Sequence, residues 1–370
     1  MIKFHTPYKS KRLKRNLIKL SKQNSFNSTY FRDACVEILE SKFKYKNFLL
    51  TNSATSALEI SAIMLKDENR FDEVLMPSYT FSSTANAFLR ANHKIKFVDI
   101  DIENLMIDVN KINKINENQL LAIVHYAGSS FNFDKLTSKF GNDVSYIEDA
   151  AQSFGTEFNN KMTGTFGLFG CISFHPTKNL HAGFGGMLIV DKSMDFDKAK
   201  FIYERGTDRS KVISGLQKKY EWVEVGSSFE ITELSSAVLE SQLYDYEKII
   251  GIREELYNTY LHELNELVEN KLIRIQNISK EINPNYHSFY IIINKNREDF
   301  LDNLNTNHNI QAYVGYVPLH SSKYGKKLGL NNSLETTENI GEKVVRLPLH
   351  TELKISEVKK ISKSVIECID

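Results

Sequence analysis

The chain has 370 residues, 41% of them hydrophobic, enough for one large and one small folding unit with a sizeable core, so disorder is not expected. A formal net charge of +1 supplies no global field to recruit nucleic acid or an anionic membrane, so function must come from a local site. Three cysteines (Cys35, Cys171, Cys368) without metal-ligand spacing imply neither a disulfide framework nor a metal centre, and with no signal-peptide core in MIKFHTPYKS and no run near ~18 apolar residues they point to a soluble protein of a reducing cytoplasm.

Residues 9–22 are basic with Leu13, Leu17 and Leu20 at helical spacing, which predicts an amphipathic helix with a solvated charged face. Residues 24–29 read as a polar loop, residues 31–44 as a second helix, and Phe48, Leu49 and Leu50 as a short strand. That strand runs into TNSATSALE, where Leu58, Ala62 and Leu65 continue on one helical side. A strand passing through small residues into a helix presents free backbone N–H groups to a phosphate, although Ser and Thr also serve there as ordinary caps. Residues 72–101 give a β-α-β pattern with strands at 74–76 and 95–100, and residues 120–125 give another strand. Apolar runs at 144–147 and 171–174 follow, the first leading to Asp149 and the second to Lys178 in SFHPTKN. Strands alternating with helices predict a mainly parallel sheet covered on both sides, and the lack of GxGxxG disfavours a dinucleotide site.

An acid and a lysine that each follow a strand can meet at the carboxyl edge of one sheet, where α/β proteins bind ligands. A cofactor that needs both is pyridoxal 5'-phosphate (PLP), whose aldehyde forms a Schiff base with a lysine and whose ring nitrogen is kept protonated by a carboxylate. EDAAQS, GTFG, SFHPTKN and AGFGG together resemble the sugar aminotransferases of the DegT/DnrJ/EryC1/StrS family. The resemblance implies PLP-dependent transferase fold type I: an α/β large domain, residues 1–243, with a mainly parallel sheet between helices, and a smaller C-terminal α+β domain, residues 244–370. It implies Lys178 as the Schiff-base lysine, Asp149 as the pyridinium partner, Gln152 beside the ring hydroxyl and Ser173 on the phosphate. It also implies Ala54 and Thr55 in the phosphate cup and Phe81 over the cofactor ring.

After the strand at 187–190, residues 218–243 resemble the family segment that crosses to a neighbouring subunit, implying a homodimer with shared active sites. Ser228 stands there where many members carry an Asn that touches the partner's cofactor phosphate. Arg209 is either a bidentate grip on a substrate carboxylate or diphosphate or one half of a surface ion pair. A long charged helix begins near residue 244, strands are expected at 288–293 and 310–314, and a last helix at 356–368. His320, in YVPLH, is either a hydrogen-bond partner of a sugar nucleotide or a packed loop histidine. Within the family, LTNSATSALE, MPSYTFSSTANAF, VHYAG, RGTDRS and VGSSF are most similar to members that move the amino group of L-glutamate to dTDP-4-keto-6-deoxyglucose. The implied product is dTDP-4-amino-4,6-dideoxygalactose for surface glycans; amination at C3, the gluco epimer and a non-catalytic sensor are the alternatives.

Overall fold

The computed structural model describes residues 1–23, 29–67, 70–330 and 332–369. The polar stretch expected at 24–29 falls, except for Thr29, outside the described residues. Helices α1 (Arg12–Ser21) and α2 (Tyr30–Ser41) precede β1 (Phe48–Thr51), α3 (Ala54–Asp67), β2 (Glu73–Pro77), α4 (Ser82–Arg90) and β3 (Lys94–Val98). Then come β4 (Gln119–Val124), α5 (Phe133–Phe140), β5 (Tyr146–Asp149), the short β6 (Glu157–Phe158) and β7 (Lys161–Met162), β8 (Phe169–Ser173) and β9 (Gly186–Val190).

Seven of these strands form one sheet in the order β1-β9-β8-β5-β4-β2-β3. Strand β9 runs antiparallel to both its neighbours, and every other pairing is parallel. Successive side chains leave the sheet on opposite faces, and both faces are dry. Leu120, Ile147 and Cys171 pack with α3 and α4 through Leu58, Met64 and Phe88, whereas Leu121, Ile123, Ile172 and Met187 pack on the far side. Two faces that must both be covered explain why these strands read as continuous apolar runs.

After α6 (Phe196–Tyr203), α7 (Arg209–Ile213), α8 (Glu233–Tyr244) and α9 (Tyr246–Glu263), the chain builds a second sheet. Its strands are β10 (Ile273–Ile275), β12 (Phe289–Ile293), β13 (Tyr313–Val314) and β14 (Val344–Leu347), while β11 (Ile282–Asn283) pairs with β6. The strand expected at 310–314 is therefore only two residues long. Ile310 instead bridges Ile2, with Ile2 N–H donating to the Asn309 carbonyl at 2.9 Å and Gln311 N–H to the Ile2 carbonyl at 3.0 Å. The Ile310 N–H itself donates to the Leu304 carbonyl at 2.9 Å, so it is spent on the end of the preceding helix and not on the sheet. The last helix, Ile355–Ile369, buries Val358, Ile361 and Val365 against this sheet. Among the described residues no helix is long and apolar enough to cross a membrane.

Candidate active site

The carboxyl ends of β4, β5 and β8 and the turn after β1 border one cavity of about 550 Å³, closed on its far side by residues of the second sheet and by Phe4 and His5 of the N-terminal segment. Parallel strands deliver their ends to one edge, and the turns that follow carry the chemistry.

Asp149, the last residue of β5, is buried and its carboxylate is held from two sides. Thr84 Oγ1 donates to Oδ2 at 2.6 Å, and the Ala151 N–H donates to Oδ1 at 3.1 Å. A carboxylate oxygen has further lone pairs, so Asp149 can accept one more donor from the cavity. Lys178 lines the same cavity; its backbone N–H donates to the His175 carbonyl at 2.9 Å, while its amine makes no hydrogen bond or ion pair among the described residues. Burial lowers its ammonium to about 8, opposed by the charge of Asp149 and assisted by that of Arg346. The two groups thus feel each other across the cavity without forming an ion pair.

The residue before Asp149 builds the walls. Glu148 is fully buried and accepts from the N–H groups of Gly164 (2.7 Å), Phe166 (2.6 Å) and Gly167 (2.8 Å), the turn of the GTFG segment. His125 Nδ1 accepts from the Phe131 N–H, so its Nε2 carries the hydrogen and donates to Glu148 at 2.9 Å. Gly128, three residues on, has φ +90° and lies so close to Asn285 and His287 that a Cβ there would collide with both. The large sheet is thereby joined to the segment that brings His287 to the cavity. Burial and the charges of Lys178 and Arg253 push the His287 pKa well below its ordinary value, leaving the ring neutral.

On the opposite wall, Ala54 and Thr55 open α3, whose first-turn N–H groups have no intrahelical acceptor. Ser53 Oγ caps Ser56 N–H at 3.1 Å, and Thr55 Oγ1 shares a 2.8 Å hydrogen bond with Ser83 Oγ at the start of α4. Gly186 permits this turn, since a Cβ there would strike the backbone of Ser53 and Ala54. Ser173 ends β8 beside it. Gln152 is locked by both ends, accepting from Ala127 N–H at 2.7 Å and donating to Tyr316 Oη at 2.6 Å. Phe81 presents a ring that is 60% exposed.

Seven of the ten residues singled out from the sequence therefore line one cavity: Lys178, Asp149, Ala54, Thr55, Phe81, Gln152 and Ser173. Three do not. Ser228 is exposed, its hydroxyl accepting from Arg205 Nη1 at 3.3 Å and its carbonyl from Asn52 Nδ2 at 3.0 Å. Arg209 is exposed at the start of α7 and away from the cavity. His320 is packed: Nδ1 lies 2.6 Å from Ser78 Oγ and Nε2 lies 3.1 Å from Glu338 Oε1. Of its two readings, the packed loop histidine is the one the geometry shows.

Sequence reasoning missed Thr84, His287, Arg346, Phe4 and His5, while Tyr316 opens the YVPLH segment that the resemblance singled out. Arg346 had a local signal, a lone cation inside the apolar run VVRLPL. Thr84 and His5 had none, because their roles depend on partners far along the chain; burial lowers His5 to about 4, and its Nε2 donates to the Pro176 carbonyl at 2.8 Å.

The donor set fits PLP. An unpartnered lysine amine, a buried carboxylate with a lone pair to spare, helix-terminal N–H groups for a phosphate and an open aromatic face border a space large enough for it.

Residues 10–366 match the family described as DegT/DnrJ/EryC1/StrS aminotransferase family. The UDP-4-amino-4,6-dideoxy-N-acetyl-beta-L-altrosamine transaminase of Campylobacter jejuni is 24% identical over 336 residues, covering 88% of this chain and 86% of that protein. The GDP-perosamine synthase of Vibrio cholerae is 26% identical over 338 residues, covering 88% of each. The PLP form of Spr1654 from Streptococcus pneumoniae superposes with a TM-score of 0.83 at 18% identity, covering 98% of both chains.

Proposed function

Because the chain belongs to the DegT/DnrJ/EryC1/StrS aminotransferase family and is a PLP-dependent sugar aminotransferase, we propose that it aminates C4 of a nucleotide-linked 4-keto-6-deoxyhexose. The amino donor is L-glutamate, the acceptor dTDP-4-keto-6-deoxyglucose and the product dTDP-4-amino-4,6-dideoxygalactose. The observation that carries the reading is Asp149 and Lys178 facing one cavity beside the open first turn of α3. The relative named for a 4-amino-4,6-dideoxy sugar supports C4 over C3. The dTDP handle and the galacto outcome rest on the segments LTNSATSALE, MPSYTFSSTANAF and RGTDRS.

When bound, PLP supplies the electron withdrawal that makes the donor's α-hydrogen acidic. Ala54, Thr55 and Ser83, with Ser173, would hold its phosphate through helix-terminal N–H groups and hydroxyls. Asp149, oriented by Thr84 and Ala151, keeps a proton on the pyridine nitrogen. Phe81, with its exposed ring on the cavity, would cover a face of the cofactor ring, and Gln152, tied to Ala127 and Tyr316, would stand beside its hydroxyl. Lys178, with a pKa near 8, has an appreciable neutral fraction at neutral pH and moves the proton from the donor's α-carbon. The same amine returns a proton in the opposite direction when the keto sugar enters.

The same reading divides the chain into a PLP-binding domain, 1–243, and a small domain, 244–370, and makes the working unit a homodimer in the cytoplasm. Ile213, Leu216, Tyr220, Trp222 and Val225 expose apolar side chains along the segment before Ser228, which supports a twofold partner covering them. The three cysteines are free, as a reducing compartment requires. Product analysis by NMR after incubation with L-glutamate and a panel of nucleotide keto sugars tests the proposal. An axial amine at C4 of a dTDP sugar is expected; an equatorial amine refutes the galacto outcome, and no turnover of any keto sugar refutes the substrate class.

A further inference from the structure

Lys178 closes a four-residue turn, 175–178, in which its own N–H donates to the His175 carbonyl at 2.9 Å. Pro176 pre-sets φ at the second position and Thr177 keeps a negative φ at the third, the pattern of a type I turn. The Pro176 carbonyl, on the central peptide, finds no donor within such a turn and must be met from outside. Among the described residues His5 meets it, with Nε2 standing 2.8 Å from the oxygen. A carbonyl only accepts, so Nε2 carries the hydrogen. Burial lowers His5 to about 4, opposed by the bond to Pro176 and assisted by the charge of Arg253, so the ring is neutral and has no second N–H.

His5 is itself held from both sides. Towards the second sheet, Ile2 bridges Ile310 and the Lys3 carbonyl lies 3.1 Å from His350 Nε2. Towards the large sheet, the Tyr8 carbonyl accepts from His181 Nε2 at 2.9 Å and from Gln242 Nε2 at 3.2 Å, and the Tyr8 hydroxyl donates to Asp245 at 3.0 Å. Residues 1–8 thus form a strut between the two sheets, with His5 in its span and on the cavity wall. On the other flank of Lys178, the buried Asn179 donates from Nδ2 to the Asn285 carbonyl at 2.7 Å, and its Oδ1 lies 3.0 Å from His287 Nδ1. The lysine's backbone is gripped two residues before it and one residue after, and its amine is placed by that backbone and not by a polar partner of its own.

We propose that His5 is a positioning residue for the reacting amine: by holding the Pro176 carbonyl, it fixes the turn that presents Lys178 to the cavity. The proposal rests on the reading of Lys178 as the acting amine and adds the N-terminal segment to the parts that aim it. Proton transfer at an amine is sensitive to displacements of about 1 Å, which a long side chain on a loosened turn would sample. A part-buried carbonyl that loses its donor drives such a shift, since the turn must move towards water or another donor. His5 does not act as an acid here. Its one N–H is spent on Pro176, and the ring has no second hydrogen to give.

Amide exchange in the cofactor-free protein reads the hold directly, and rapid mixing of the PLP-loaded protein with L-glutamate alone reads its consequence. That half of the reaction needs no sugar, so the test does not depend on the acceptor. In His5→Phe, which keeps a ring and loses the donor, the Lys178 N–H should exchange about tenfold faster or more. The Gln311 N–H on the Ile2 carbonyl should keep its protection, which shows that the segment is still seated. The visible band of the loaded protein should decay about tenfold more slowly with saturating L-glutamate. His5→Gln puts an amide nitrogen where the imidazole Nε2 stood and should return both readouts to within about threefold of wild type. If His5→Phe unseats the segment, His5→Asn, whose amide stops short of the carbonyl, carries the test. Unchanged Lys178 exchange in these variants, faster exchange with a normal band decay, or a loss in His5→Gln as large as in His5→Phe each overturns the proposal. A reduced PLP adduct on another lysine, with Lys178 exchange still dependent on His5, would instead overturn the assignment of Lys178.

Discussion

Thr84 Oγ1 donates to Asp149 Oδ2 at 2.6 Å, so a threonine on α4 orients the carboxylate at the end of β5. A hydrogen bond to a charged group contributes about 1.5–3 kcal/mol. Thr84→Val is expected to lower kcat by about tenfold or more and leave circular dichroism unchanged. Asp149→Asn should retain the fold and lose nearly all turnover, because an amide cannot hold the ring proton. Wild-type kcat in either variant would remove the carboxylate from the chemistry.

Lys178 is expected to carry the cofactor covalently. The purified protein should absorb in the visible range and lose that band on borohydride reduction. Peptide mapping should then place the reduced adduct on Lys178, and Lys178→Ala should be inactive. An adduct on any other lysine is incompatible with the assignment.

The lowered pKa of Lys178 also makes a stability prediction. Its folded value is about 8 against 10.5 for the ordinary side chain. Between these values the unfolded chain binds the proton and the folded chain does not, so the lysine's contribution to stability rises with pH from about 8 to 10.5, and its penalty is fully present below about 8. Without PLP, Lys178→Met should melt higher than wild type at pH 7, and the gap should narrow towards pH 10. A gap that widens or stays constant would contradict the burial of a charged amine.

Glu148 accepts three backbone N–H groups and His125, all buried. Glu148→Gln replaces one acceptor oxygen by a donor, opposing at least one N–H with an NH₂ group. A loss of about 3–5 kcal/mol is expected from denaturant unfolding, with the 164–167 turn the first to lose amide protection. A change under about 1 kcal/mol would show that the turn is held by other contacts.

Shared sites in a homodimer predict complementation. Lys178→Ala subunits mixed with subunits altered at Ser228 should recover part of the activity, since one of the two sites in a mixed dimer would be intact. Sedimentation should give a dimer, and Trp222→Glu should shift it towards monomer. An active monomer would exclude shared sites.

Much of the large sheet was legible because its information is local. The run before Asp149, the run before Lys178 and the small residues of TNSATSALE each occupy a few consecutive positions, and burial on both faces makes the strands continuously apolar. The amine and the carboxylate were found for the same reason, each standing just past its strand. The reversed direction of β9 was not legible, since an apolar strand reads the same in either direction. Nor were the contacts that complete the cavity: Thr84 on Asp149, Gln152 on Tyr316, and Phe4 beneath Arg346 join residues that are tens to hundreds of positions apart. Composition and periodicity report which residues are apolar and how often; they carry no distance between separated segments. The sequence by itself thus determined a fold type, a lysine and an acid, while the packing of the second sheet and the N-terminal segment on the large sheet decided which cations face the cavity, which histidines are merely packed and how the carboxylate is aimed.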